Sequence, residues 1–377
     1  MKVAILTQPL NTNYGSILQA WALQQVLIGL GHVPTTVNRQ YDQRARLAGV
    51  PGKAKRFLQD AALAVSGRTL YHRHIPFIRA LQDDFIRSHI QLSPLIRSDA
   101  DLRRYFKESG FDAIVVGSDQ VWRPWYSPRL ETYFLDFVEE LGDSPPRRVA
   151  YAASFGVDKW EFSPYQTSVC GGLLGCFDAV SVREDSGIAL CSDYLGVEAE
   201  LVLDPTLLLA REDYIQAFCS DTQCDSNGVL TYILDGDDEK TAIVSEVERR
   251  LMLRSFSRQP RASQHIIERG ERVDYQFPPT DAWVRGFHEA KFVVTDSFHG
   301  TVMALLFEKP FIAIANSSRG STRFHSLLRL VGQQDRLVEL PGKVDLDQLL
   351  SPIDFEEVRS RLSLLRTSSV EFLRANL

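Results

Sequence analysis

Five polar clusters carry the residue types that could do chemistry, and each stands where a short apolar run gives way to a loop or a helical stretch. The sharpest is Asp296-Ser297-Phe298-His299-Gly300-Thr301, directly after Phe292–Thr295. A histidine at the start of a helix is unusual, because the positive end of the dipole disfavours its cationic form. It is poised to change charge, and its neighbours suit an anion, with Ser297 and Thr301 adding hydroxyls. The plain alternative is a capped helix with a satisfied histidine. A second cluster, Gly117-Ser118-Asp119-Gln120-Val121-Trp122, follows Ala113–Val116. Asp119 and Gln120 suit sugar hydroxyls, Trp122 suits the face of a sugar ring, and Asp119 could serve as a base toward a hydroxyl. An N-cap opening a helix is the alternative there.

Three further clusters share the placement. Arg183, in Ser181-Val182-Arg183-Glu184, stands at a strand end, where its fork of donors fits phosphate or carboxylate. An ion pair with Glu184 or Asp185 explains it as well. Arg323 closes the polar stretch Asn316–Arg323 in the first turn of a helix, where the dipole opposes a cation and an anionic ligand would relieve it. Asn11-Thr12-Asn13-Tyr14-Gly15-Ser16 precedes the first helix, whose open N–H groups suit an anion or a sugar hydroxyl; a simple capping turn reads equally well.

The elements that position these clusters are a repeating pattern. Lys2–Thr7 reads as a buried strand, Gly15–Leu30 as a helix and Val33–Val37 as a second strand, a βαβ unit that predicts a parallel sheet. Strand-like runs recur at Ala113–Val116, Val149–Ala153, Ala179–Val182 and Leu201–Leu203. The pattern restarts near residues 205–212 with Val229–Leu234, His265–Ile267, Phe292–Thr295 and Phe311–Ile314. The expectation is two Rossmann-like α/β domains, 1–208 and 209–345, followed by a pair of C-terminal helices over 346–377. In such sheets ligands bind at the carboxyl ends of the strands.

Composition narrows the class. The chain has 377 residues, a formal net charge of −6 and 44% hydrophobic residues. This mild acidity argues against general nucleic-acid binding. No apolar run reaches membrane-spanning length and no signal-peptide core is present, which places the chain in the cytoplasm as an expectation. Five cysteines without a CxxC predict free, mostly buried thiols and no metal site. G-x-S-x-G, G-x-x-x-x-G-K-[ST] and G-x-G-x-x-G are all absent, which weighs against a hydrolase, an ATPase and a nicotinamide enzyme. From Arg39 to Lys107, 14 Lys and Arg stand against six Asp and Glu. Within that insertion Ile78, Leu81 and Phe85 share a helical face beside Arg79 and Arg87. Such a helix fits the surface of an anionic membrane, and equally an ordinary surface helix.

In this order the clusters resemble the polysaccharide pyruvyl transferase family. The stretches that carry the resemblance are NTNYGSILQAWALQ, DAIVVGSDQVW, RVAYAASFG, AVSVRED, LVLDPTLLL and VVTDSFHGTVMALLFEKPFIAI, with the Arg323 region after them, spanning residues 2–335. The resemblance implies a GT-B-like pair of domains with the site in the cleft between them. It implies transfer of pyruvate from phosphoenolpyruvate to a sugar of a bacterial surface polysaccharide (exopolysaccharide or capsule) or its precursor, forming a ketal. Donor contacts then fall to Arg183, Ser297, His299, Gly300, Thr301 and Arg323, with His299 as general acid. Acceptor contacts fall to Asn13, Tyr14, Ser118, Asp119, Gln120 and Trp122, with Asp119 as a hydroxyl base. The acceptor sugar is lipid-linked or nucleotide-linked, and the basic insertion favours a lipid carrier at a membrane. The scheme needs no cofactor beyond the donor, no metal and no nucleic acid. Two other readings fit the same plan: a GT-B glycosyltransferase using a nucleotide sugar, and a glycan-binding protein without catalysis.

Overall fold

Strands with apolar residues on both faces must be covered on both faces, the condition met in a parallel sheet flanked by helices. The computed structural model, which describes residues 1–41, 68–142, 144–219, 227–261, 266–268, 271–316, 320–342 and 344–377, contains two such sheets. In chain order the strands are β1 (Lys2–Leu6), β2 (Val33–Thr36), β3 (Arg68–Leu70), β4 (Ala113–Val116), β5 (Arg147–Ala153), β6 (Ala179–Val182), β7 (Glu200–Leu201), β8 (Val229–Tyr232), β9 (Ser255–Ser257), β10 (Ile266–Glu268), β11 (Phe292–Thr295), β12 (Phe311–Ile314) and β13 (Leu337–Val338). The first sheet runs β2-β1-β4-β5-β6-β7 and the second β13-β12-β11-β8-β9. Every pairing within both is parallel.

Strand order reverses between β1 and β4 in the first sheet and between β8 and β11 in the second. At such a switch point the flanking loops diverge and leave a crevice beyond the carboxyl ends. The clusters Asn11–Ser16 and Gly117–Trp122 follow β1 and β4, and Asp296–Thr301 follows β11. The topology therefore opens crevices where the polar clusters stand.

Three elements depart from the sequence expectation. A short strand expected over His265–Ile267 in the second half is instead β10, which pairs antiparallel with β3 from the basic insertion, outside both main sheets; His265 lies outside the described residues. The expected terminal helix pair is a four-residue turn of helix, Leu346–Leu349, and one long helix, Phe355–Asn376. The long helix returns to the first half, where the Ser369 hydroxyl accepts from the Leu203 N–H at 3.0 Å and Arg366 Nε donates to the Leu207 carbonyl at 2.8 Å.

The third departure concerns the basic segment, of which residues 42–67 lie outside the described residues. In the helix Ala80–His89 the apolar face is buried: Phe85 packs 5.3 Å from the Phe218 ring, and Ile86 joins the same core. Ile78 is buried as well, Arg79 pairs with Asp83 at 2.8 Å, and Arg87 pairs with Asp84. Of the three side chains expected to enter a lipid surface, Ile78 and Phe85 fill protein cores and Leu81 is half-buried. No helix among the described residues is long and apolar enough to cross a membrane. Cys170, Cys191 and Cys219 are buried and Cys176 is exposed; Cys224 lies outside the described residues.

One hydrophobic cluster runs through both halves. It joins Val3 and Ile5 of β1 to Val293 of β11 and Phe311 of β12, through Trp21, Tyr214 and Phe287. Separate clusters cover the other face of each sheet.

Candidate active site

The loops after β1, β4, β8 and β11 enclose a cleft of about 320 Å³ between the two halves. Its first-half wall includes Gln8, Asn13, Asp119 and Gln120; its second-half wall includes Asp296, Ser297, Phe298, His299 and Arg323. Asn13 caps the helix Tyr14–Gly29, its side chain accepting from the Gly15 and Ser16 N–H groups at 3.1 and 3.3 Å. Ser297 caps the helix Phe298–Leu306 in the same way, accepting from Gly300 N–H. Helix starts from both halves thus meet at the cleft, and His299 stands in the first turn of one of them.

The two helix starts touch through a glycine. A Cβ added at Gly15 would lie 2.1 Å from both Cγ and Nδ1 of His299. No side chain fits there without displacing the imidazole or separating the halves. Gly15→Ala is therefore expected to destabilise the fold by about 1–3 kcal/mol, as overpacking does, read as a lower urea midpoint. An unchanged midpoint would mean that the halves do not meet at this residue.

Behind the cleft wall lies a buried charge cluster. The Arg183 side chain is 0% exposed and donates to Asp204 Oδ2 at 2.6 Å and Asp119 Oδ1 at 3.2 Å. Asp204 Oδ2 also lies 3.6 Å from His299 Nε2, a nitrogen with no hydrogen-bond partner among the described residues. The Arg183 and Arg323 guanidinium carbons lie over the Phe298 ring, 5.0 and 5.5 Å from its centroid. Burial pushes the Asp204 carboxyl up, but His299, Arg183 and Thr206 outweigh it and hold it well below the carboxylate range. Asp119 behaves alike: burial raises it, and Arg183, His299 and the Gln120 N–H bring it below its ordinary value. The Arg323 guanidinium is lowered to about 10, first by burial and then by the like charge of Arg183. A site with a buried guanidinium weakened by its cationic neighbour favours an anionic ligand, which would relieve that repulsion.

The residues expected from sequence divide into two groups. Asn13, Asp119, Gln120, Ser297, His299 and Arg323 line the cleft. Ser118, Tyr14, Trp122, Arg183, Gly300 and Thr301 do not. Trp122 is 0% exposed, stacked on Phe134 with its Nε1–H donated to the Tyr133 carbonyl at 3.1 Å, so its ring cannot meet a sugar. The strand-end position was read correctly, but the apolar face of the loop turns inward. Tyr14 stacks on Trp283 and donates to the Pro278 carbonyl at 2.8 Å, joining the two halves. Ser118 donates to the Ala152 carbonyl, and Thr301 to the Ser297 carbonyl. Gly300 and Thr301 N–H groups are taken by Ser297, which removes them as donors to a ligand. Arg183 is held by carboxylates and would have to break those pairs to grip a ligand directly. Asp119, tied to Arg183 and held low, is a weak proton acceptor; its charge and orientation serve the site better.

Sequence reasoning missed Asp204 and the structural role of Asp296. Asp296 is buried and accepts from the Leu234 and Asp235 N–H groups at 2.6 and 3.1 Å and from Lys240 Nζ at 3.0 Å, tying the loop after β8 to that after β11. The signal for Asp204 was its place, a carboxylate directly after an apolar run.

The family model for polysaccharide pyruvyl transferase matches residues 13–318, which include every cleft-wall residue named above except Gln8 and Arg323. The chain belongs to the polysaccharide pyruvyl transferase family. No curated protein sequence matches it. The crystal structure of the glycotransferase of kitacinnamycin is similar with a TM-score of 0.51 at 12% identity, over 100% of this chain and 99% of that one. MurG from Acinetobacter baumannii is similar with a TM-score of 0.44 at 10% identity, over 99% and 98%. The first likeness, together with the two parallel sheets, gives the fold as GT-B. As a polysaccharide pyruvyl transferase family member, the chain is a transferase of polysaccharide biosynthesis with a sugar among its substrates.

Proposed function

We propose that this cleft transfers pyruvate from phosphoenolpyruvate to a sugar of a bacterial surface polysaccharide or its precursor, closing a ketal. The observation that carries the reading is the convergence of Arg323 and His299 on one cleft wall, facing Asp119 and Gln120 on the other. Phosphoenolpyruvate brings a phosphate and a carboxylate, and among the described residues Arg323 is the arginine of the cleft wall that receives the anion. His299 gives its proton to the terminal methylene, which becomes a methyl group, and C2 takes on oxocarbenium character. The nearby Asp204 carboxylate stabilises the imidazolium before transfer. A sugar hydroxyl attacks C2 and releases its proton to the imidazole. A second hydroxyl then forms the other C–O bond as the C2–O bond to phosphate breaks, and phosphate leaves carrying that hydroxyl's proton. Asp119 and Gln120 orient the hydroxyls.

The glycosyltransferase reading asks the second domain to hold a nucleotide diphosphate. There the Asp296 carboxylate already occupies the Leu234 and Asp235 N–H groups, and its charge opposes a second anion at that turn. Peripheral contact with a membrane loses its support from the helix Ala80–His89, whose Phe85 and Ile86 are covered by the core; a lipid-linked and a nucleotide-linked acceptor then stand level.

Thermal unfolding with ligands separates the readings. Phosphoenolpyruvate at 100 times its Kd stabilises the chain by about 2.7 kcal/mol, and Arg323→Ala removes that gain. Stabilisation by UDP and not by phosphoenolpyruvate would replace this reading with the glycosyltransferase.

A further inference from the structure

The acceptor wall of the cleft continues outward into an aromatic rim that neither the family nor the fold assigns. Trp125 lines the cleft yet is 85% exposed, and Tyr126 beside it lines the same mouth. Exposed apolar rings scattered singly mean little, whereas rings grouped at a cleft mark a ligand surface. Here the backbone on both sides of the indole is pinned. The Arg123 guanidinium lies 4.6 Å from the Tyr126 ring centroid and donates to Gln120 Oε1 at 3.3 Å and Glu161 Oε2 at 3.3 Å. Tyr41 donates to the Tyr126 carbonyl at 2.5 Å. The Ser127 hydroxyl accepts from Gln8 at 2.9 Å and donates to the Val121 carbonyl at 2.8 Å. Gln8 and Gln120, which complete this clamp, themselves line the cleft. A loop fixed at residues 123, 126 and 127 holds an exposed indole at the entrance.

We infer that Trp125 is the stacking platform for a sugar ring of the acceptor, with Tyr126 as its edge and Gln8 and Gln120 supplying hydroxyl partners. The indole presents the flat apolar face that a pyranose covers with its C–H groups, the role that sequence reasoning gave to Trp122, three residues earlier. The inference rests on the pyruvyl-transfer reading only for the acceptor being a sugar.

The test uses the full chain, phosphoenolpyruvate, and methyl glycosides of galactose, glucose, mannose, N-acetylglucosamine and N-acetylmannosamine. Phosphate release and tryptophan fluorescence are read separately. For the glycoside that supports release, Trp125→Ala is expected to raise its KM about tenfold, which is about 1.4 kcal/mol and within the range of one aromatic contact. The loss falls on KM and not on kcat, the thermal midpoint stays in place, and Trp125→Phe recovers most of the affinity. The same glycoside shifts the emission of the parent protein and not of Trp125→Phe. A KM within twofold of the parent in Trp125→Ala overturns the platform and leaves the reaction standing. A Trp125-dependent emission shift with a glycoside, without phosphate release from any, keeps the platform and overturns the reaction. No emission shift with any glycoside, or a shift with UDP alone, overturns the platform.

Discussion

His299→Asn is expected to leave a folded, donor-binding protein whose transfer rate at saturating substrates is about 10²–10⁴-fold lower, the contribution of one placed proton donor. Asparagine keeps a polar group of similar reach next to Gly15, where a Cβ would lie 2.1 Å from the imidazole, so packing between the halves survives. It has no proton to give at neutral pH. Asp204, 3.6 Å from Nε2, then has no imidazolium to stabilise. The measurement is phosphate release under saturating donor and acceptor, with stabilisation by phosphoenolpyruvate as the control for binding. A rate within tenfold of the parent would remove His299 from the role of general acid and send the search to other groups on the cleft wall.

The second large effect is on stability. Arg183→Leu is expected to destabilise the protein by about 3–5 kcal/mol, because it leaves the buried carboxylates of Asp119 and Asp204 without their shared cation. The pH dependence gives the independent check. Both carboxyls have folded-state values below their unfolded value near 4. They therefore contribute stability that is fully present above that pH and is lost as pH falls through the folded-state values. In Arg183→Leu the same groups keep their burial and lose their shared guanidinium, so their folded-state values rise above those of the parent. Acidification protonates them in the folded variant, and the deficit against the parent narrows as pH falls from 7 toward 4. Urea unfolding at several pH values reads this directly. A deficit that stays constant with pH would mean that the loss comes from packing around Phe298 and not from the carboxylates.

The cleft was legible in the sequence to the extent that chemistry sits at strand ends. Asp119, His299 and Arg323 were found because each follows a buried apolar run, and the switch points of both sheets place those ends together. What failed was side-chain direction. Trp122 and Trp125 belong to one loop, and nothing in residue type says which indole turns into the core. Arg183 reads as an anion site until Asp204, 21 residues away, is seen to pair with it. The face of Ala80–His89 was read correctly as apolar, but periodicity does not say what covers it, and Phe218 does. Pairing of β3 with β10 joins segments from opposite halves of the chain and leaves no local trace.

The hydrophobic cluster that runs from β1 to β12 has a consequence for how the molecule moves. Two domains joined only by linkers could swing apart like the halves of a shell, each keeping its own interior. Here wide opening would expose Trp21, Tyr214 and Phe287 to water, and the terminal helix bound to the first half resists it from the far side. Entry of a substrate is then expected through the open mouth of the cleft rather than by wide separation of the halves. For the same reason the two halves are expected to unfold together, in a single transition in urea.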